Sequence, residues 1–184
     1  AVKEISPLVT FLGQAIIGDL NGDIAINGVN PSFFKLSGIK LKSGRVMNNG
    51  ADNEVVISTA GMKLFNVDEP TQILGKEMNL AIFVPKIINK EDIETDIVKK
   101  DQKFKVVGVL EDDSSNFVFI PYQIVSDLNI ESFNQIKIKV AEASFLESVR
   151  NEIVGMGVSV AAISDVIDQA SKIFSIVQIV LALF

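Results

Sequence analysis

From Ile173 to Phe184 the chain carries no charged residue, and it ends on six consecutive apolar ones, Ile179 to Phe184. A helix that is apolar on every side has to sit inside a core or inside lipid. The run is shorter than the roughly 20 residues that cross a bilayer, so a buried terminal helix, or one packed on a dimer partner, would also satisfy it. Because the sequence stops inside the hydrophobic stretch, we expect a membrane span that starts near Ile173 and continues beyond it. Upstream, Ser164 is the expected N-cap and Asp165 lies in the first turn. Val166, Ala170, Ile173, Phe174 and Val177 share one face, opposite Asp168, Gln169, Ser171 and Lys172. Residues 164–184 are expected to form a stalk helix leading into a transmembrane segment.

The composition limits what the domain before that stalk can do. With 184 residues, 48% of them apolar, the whole chain can bury one sizeable core or two small ones sharing a backbone. A net charge of -6 and a pI near 4.7 speak against nucleic acid as a partner, since such binding draws its affinity from clustered Lys and Arg. There is no cysteine, histidine or tryptophan, hence no thiolate nucleophile, imidazole base or soft metal ligand. No catalytic, cofactor-binding or metal residue is expected, and the chain is read as a non-enzyme. The opening AVKEISP has no charged region followed by an apolar one, so a signal for export is expected to lie elsewhere in the protein.

Periodicity predicts an α+β fold. Ile136, Ile138 and Val140 alternate with Lys137 and Lys139, the signature of a strand with one wet face. Ser144-Phe145-Leu146-Glu147 fits a capping box that opens a helix with Phe145, Leu146, Val149 and Ile153 on its apolar side. Gly155 and Gly157 are stop signals, and Val158 to Ala161 reads as the following strand, which completes a β-α-β unit. Partner strands are expected at Gln14 to Ile17 and Ile24 to Ile26, joined by a turn at Asn21-Gly22. Between these ends, Ile39–Leu41, Glu54–Ile57, Glu77–Phe83, Phe104–Leu110 and Phe117–Ile120 look like short strands. Pro31 to Leu36 and a segment after Ser58 look like short helices. Lys86 to Lys103 is charged and weakly periodic; it reads as a solvated loop between two strands that could pair as a hairpin arm. The domain division that follows is an α/β subdomain from residues 1–28 and 133–163, a β-rich insertion over 29–132, and the stalk at 164–184.

Three clusters invite a chemical reading. Asp19, Asn21 and Asp23 match the first alternate ligands of a calcium loop, but Ile24 and Asn30 stand where glycine and the last glutamate belong, so a hairpin turn explains them better. Glu111-Asp112-Asp113 could pair carboxylates, but nothing beside them in sequence would tune their pKa, and a solvated loop is expected. Ser58 sits at a strand-to-helix junction without the flanking glycines of a nucleophile elbow, and is read as an N-cap.

The order of the elements resembles the extracytoplasmic domain of ABC transporter permeases of the MacB/FtsX type. The likeness runs through Ile5-Ser6-Pro7, Ile26-Asn27-Gly28-Val29-Asn30-Pro31-Ser32-Phe33-Phe34, Gly38, and Leu41 to Gly44-Arg45. It continues through Glu54-Val55-Val56-Ile57-Ser58, Leu64-Phe65, Gly75, Phe104-Lys105-Val106-Val107-Gly108-Val109-Leu110, Ile120-Pro121 and the apolar end. No single short motif carries it; their order does. Beside the resemblance, Gly28 and Pro31 would shape a turn and start a helix, Phe33 and Phe34 would be core, Gly44 would end a strand, and Gly108 would mark a close contact. The resemblance implies a porter-like subdomain built from both chain ends and an inserted subdomain called Sabre. It also implies a membrane location with the domain on the periplasmic or extracellular face. The implied partners are the permease's own transmembrane helices, a second permease copy, a cytoplasmic ABC ATPase, and an extracytoplasmic adaptor or cargo protein. No GxxxxGK[ST] loop occurs in the sequence, so nucleotide would bind elsewhere. The alternative is an extracellular ligand-binding or sensor domain of a membrane receptor.

Overall fold

A computed structural model describes the chain except residues 52, 88–92, 129, 131, 163, 164 and 166–184. The expected stalk, including its cap Ser164 and the run from Ile173, lies outside the described residues apart from Asp165. No helix among the described residues is long and apolar enough to cross a membrane. The chain forms two compact units, Glu4–Lys139 and Ala1–Lys3 with Val140–Phe184.

The larger unit is organised by a sheet with order β3-β7-β4-β8-β2-β1-β5-β6, where β9 also pairs with β1 and β5 also pairs with β7. The strands are β1 (Val2–Ile17), β2 (Leu20–Val29), β3 (Leu41–Gly44), β4 (Glu54–Ser58), β5 (Glu77–Ile87), β6 (Ile93–Lys99), β7 (Phe104–Leu110), β8 (Phe117–Pro121) and β9 (Gln135–Val140). The β5–β7 seam, Glu77 to Lys105 and Met78 to Phe104, joins β7 back to β5 and closes the path through β4, β8, β2 and β1 into a ring. β2–β8 and β4–β7 are parallel, so the sheet is mixed.

Side-chain alternation explains why β4, β7 and β8 read as unbroken apolar runs. Val55, Ile57, Val106, Val109, Val118 and Ile120 point to one core, together with Phe11, Ile26 and Ile82 from β1, β2 and β5. Their neighbours Val56, Val107, Leu110 and Phe119 point to a second core. A strand buried on both faces has no polar side to show. The second core is capped by α1 (Ser32–Ser37), whose Phe33 and Phe34 rest on Phe119 with ring centroids 5.8 and 5.2 Å away. On the first core's side lie α2 (Thr59–Lys63) and α3 (Pro70–Ile73), with Met62 and Ile73 fully covered.

Three local expectations change. The β1–β2 turn falls at Gly18-Asp19 rather than Asn21-Gly22: Ile17 pairs with Leu20, and Asn21 and Gly22 lie in the ladder opposite Ile16 and Ala15. Gly18 alone takes positive φ (59°), the pattern of a II′ turn. Turning at Asn21-Gly22 would have set Asp19 opposite Ile24, which is 3% exposed, and so driven a carboxylate onto the core face. Gly28 shapes no turn; it lies in β2 opposite Val9, where a Cβ would come within 2.4 Å of Val125. The charged stretch after Lys86 also contains a strand, since β6 pairs with β5 from Ile87–Ile93 to Ala81–Lys99. Strand β9 forms where expected, but Ile136 (49%) and Ile138 (38%) stay exposed.

In the smaller unit, helix α4 (Leu146–Gly155) starts later than the capping box predicts. A 3-10 turn over Ala143–Phe145 precedes it, and the Ser144 hydroxyl lies 3.5 Å from the Glu142 carboxylate instead of capping Glu147. Glu147 still occupies the first turn, where a negative charge suits the helix dipole. The helix ends as its glycines imply. Gly157 adopts φ 81°, its N–H donates to the Val154 carbonyl, and the Val158 N–H donates to that of Ile153. Those two bonds make a Schellman stop. Val158 to Ala161 pair with no strand among the described residues, and Val158 is 55% exposed, so the expected strand does not form there.

Candidate functional site

Ser58 closes β4 and caps α2, fully buried. Its Oγ accepts from the Gly61 N–H (2.9 Å) and the Phe117 N–H (3.2 Å), and donates to the Ser115 carbonyl (2.8 Å). A hydroxyl engaged three times and facing no base has no free lone pair for attack. Beside it, Thr59 Oγ1 accepts from the Asp112 N–H, and the Ala60 N–H donates to the Asp112 carbonyl. The β4–α2 junction is thereby stitched to the turn between β7 and β8.

That turn holds the acidic cluster. Asp112 Oδ1 accepts from the Ser114 hydroxyl (2.6 Å), the Ser114 N–H (2.8 Å) and the Ser115 N–H (3.3 Å). These bonds, led by the Ser114 hydroxyl, lower its pKa. Asp113 is lowered too, first by the Lys63 ammonium 2.9 Å away and then by Thr59. Both carboxylates are held ionised, the opposite of what a general acid needs. Asp19 lies in the hairpin turn and Asn21 and Asp23 follow along β2, where Asp23 accepts from the Gln14 amide at 3.0 Å. Among the described residues no three acidic side chains gather as metal ligands.

The strongest electrostatic feature was not visible in the sequence. The Arg45 guanidinium grips Glu54 with both terminal nitrogens, and Glu54 also accepts from the Asn48 N–H at 2.8 Å. The Arg45 hydrogen bond, more than the Asn48 one, pulls the Glu54 carboxyl down to about 2. Opposite charges flanking Asn48-Asn49-Gly50 were the available signal. The clamp folds the loop after β3 back onto the start of β4, and the Arg45 N–H also donates to the Val107 carbonyl of β7. The loop forms one wall of a surface cleft of about 380 Å³; Asn30, Ser32, Tyr122 and Gln123 line the others, and Glu4 is its one ionisable carboxylate. Such a lining offers amide and hydroxyl hydrogen bonds and a single carboxylate, with no lysine or arginine.

In the smaller unit Arg150 of α4 makes a second fork, with Nη1 and Nη2 each 2.9 Å from an oxygen of Asp165. The Asp165 carboxylate also accepts from the Ala162 N–H at 3.3 Å. The pair lowers the Asp165 pKa and raises that of Arg150. It ties the middle of α4 to the residue at which the C-terminal segment begins.

Three features stand together: two buried cores around a mixed sheet, hydroxyls and carboxylates spent on local structure, and bidentate clamps at loop ends. Comparison with known proteins agrees with the fold. No curated protein sequence matches significantly. The periplasmic region of MacB from Actinobacillus actinomycetemcomitans superposes with a TM-score of 0.60 at 20% identity, covering 93% of this chain and 76% of that one. The extracellular domain of the ABC-type transporter YknZ from Gram-positive bacteria superposes at 0.56 with 18% identity, covering 81% and 71%. Residues 1–156 match the family described as the MacB-like periplasmic core domain. The chain therefore belongs to the family of MacB-like periplasmic core domains.

Proposed function

We propose that this domain is non-catalytic and couples ATP hydrolysis in the cytoplasm to conformational work outside the membrane, for export or extraction of a substrate. The family match over residues 1–156 carries the reading. The lack of histidine and cysteine and the fully engaged Ser58 support it. The partners in this reading are the permease's own transmembrane helices, a second permease copy, a cytoplasmic ABC ATPase, and an adaptor or cargo protein on the outer face. Residues 1–28 and 133–163 would act as the porter-like subdomain, 29–132 as the Sabre-like one, and 164–184 as the stalk that carries motion to both.

A stalk works only if it is stiff where it meets the domain. Inserting a flexible Gly/Ser stretch after Asp165 in the full-length permease is therefore expected to abolish transport while ATP hydrolysis continues. Transport at the normal rate by that variant would sink the coupling role.

A further inference from the structure

Strand β6 ends the sheet path, and among the described residues its only strand partner is β5. The Lys100 N–H donates to the Leu80 carbonyl. In an antiparallel ladder hydrogen-bonded pairs alternate with non-bonded ones. Counting from that bond, Glu94, Asp96 and Val98 direct their backbone polar groups toward β5. Thr95, Ile97 and Lys99 direct theirs to the free edge. Pro85, which has no N–H, stands opposite Thr95 and fits this parity.

The edge also carries an apolar row. Leu12 pairs with Phe83, and Phe83 with Ile97, so the three side chains share one face across β1, β5 and β6. Leu12 is 70% exposed and Ile97 60%. Backbone donors with no strand partner among the described residues, next to an exposed isoleucine, form a template for another strand.

We propose that β6 pairs with β6 of a second copy, antiparallel, about a two-fold axis through Ile97. This rests on the reading that the permease works as a pair. The register follows from charge. An axis through Asp96 would oppose two aspartates. One through Thr95 would set Glu94 against Asp96, and one through Val98 would set Ile97 against Lys99. The axis through Ile97 sets isoleucine on isoleucine, Thr95 opposite Lys99, and Glu94 opposite Lys100, whose ammonium already lies 3.2 Å from Asp127. It also uses the outward-facing N–H and C=O groups of Thr95, Ile97 and Lys99 on both copies. The apolar row then runs unbroken through both molecules. So short an edge buries far less than the roughly 1,200–2,000 Å² of stable complexes, so the contact is weak in free solution. It forms where two copies are held in one membrane at high effective concentration.

The chain has no cysteine, which makes disulfide trapping clean. Single Ile97→Cys, Thr95→Cys and Leu12→Cys variants are oxidised in the 184-residue chain at high concentration and in the full-length permease in membranes. Two Ile97 positions face each other at bonding distance, whereas two Thr95 positions do not, so Ile97→Cys is expected to cross-link at least about tenfold faster than either control. Equal rates for all three, or no dimer from Ile97→Cys in membranes, overturn the proposal. Ile97→Asp is exposed and should fold normally; it is expected to abolish concentration-dependent association in sedimentation, and unchanged association would also count against the edge. If Ile97→Cys fails while the Gly/Ser insertion still uncouples transport, the edge is wrong and the coupling role stands. The converse pattern leaves the edge standing without the coupling role.

Discussion

At the scale of single residues, the clearest constraint is a missing side chain. A Cβ at Gly108 would sit 2.3 Å from the Arg45 carbonyl oxygen, and backbone cannot retreat as a side-chain tip can. Gly108→Ala is expected to cost about 1–3 kcal/mol, read as a lower urea midpoint, with the β3–β7 pairing the first to loosen. The close contact was legible because a glycine inside an apolar strand has few other uses. The Arg45–Glu54 clamp was not, since opposite charges on either side of Asn48-Asn49-Gly50 do not by themselves show that the ends of the loop meet. Its pH dependence has a definite sign. The Glu54 carboxyl falls from an ordinary 4.5 to about 2 on folding, so its contribution is fully present above pH 4.5 and is lost as pH falls through about 2. Urea midpoints of the wild type and Glu54→Gln are expected to differ at pH 6 and to converge toward pH 2. A gap that stayed constant over that range would show the clamp adds nothing through its charge.

At the scale of elements, strands buried on both faces announce themselves, and β4, β7 and β8 were readable as runs. Local polar signals were less trustworthy, because tertiary context decides among them. Asn21-Gly22 lost the turn to Gly18-Asp19 because the core face could not take Asp19. Ser144 does not cap the helix, because a 3-10 turn over Ala143–Phe145 precedes α4 and turns its hydroxyl toward the Glu142 carboxylate. Strand β6 was hidden because both of its faces carry exposed residues, and Glu94, Asp96 and Lys99 give it the charges of a loop. In the smaller unit, the Arg150–Asp165 fork is a polar link from α4 to Asp165. Arg150→Asp alone should raise the cleavage rate of residues 158–165 in limited proteolysis. Arg150→Asp with Asp165→Arg should restore protection, since the fork is rebuilt with its ends exchanged. A double variant as sensitive as the single one would mean that the contact does not order the segment.

At the scale of the molecule, the closed ring was beyond reach of the sequence, because its pairings join distant segments: β2 with β8, β1 with β5, and β4 with β7. Local pattern reports which segments are strands, not which of them meet. Closure also makes the ring's stability uneven. The seam is two residue pairs long, and Met78 and Phe104 at its centre are fully buried. Beyond Ala81, by contrast, the β5–β6 arm turns one exposed face outward. Met78→Ala should therefore cost about 2–5 kcal/mol and act on the whole ring, because a lost seam leaves the first residues of β5 and of β7 unpaired on that side and the ring open. Hydrogen exchange distinguishes this from local damage. In the wild type the amides of β4 and β7 should exchange only through global unfolding, while those of β6 exchange through cheaper local opening. In Met78→Ala, protection should fall together in β4, β7 and β8, with little change in β6. Loss confined to β5 and its neighbours at the seam would show that the sheet behaves as an open one whose ends merely touch.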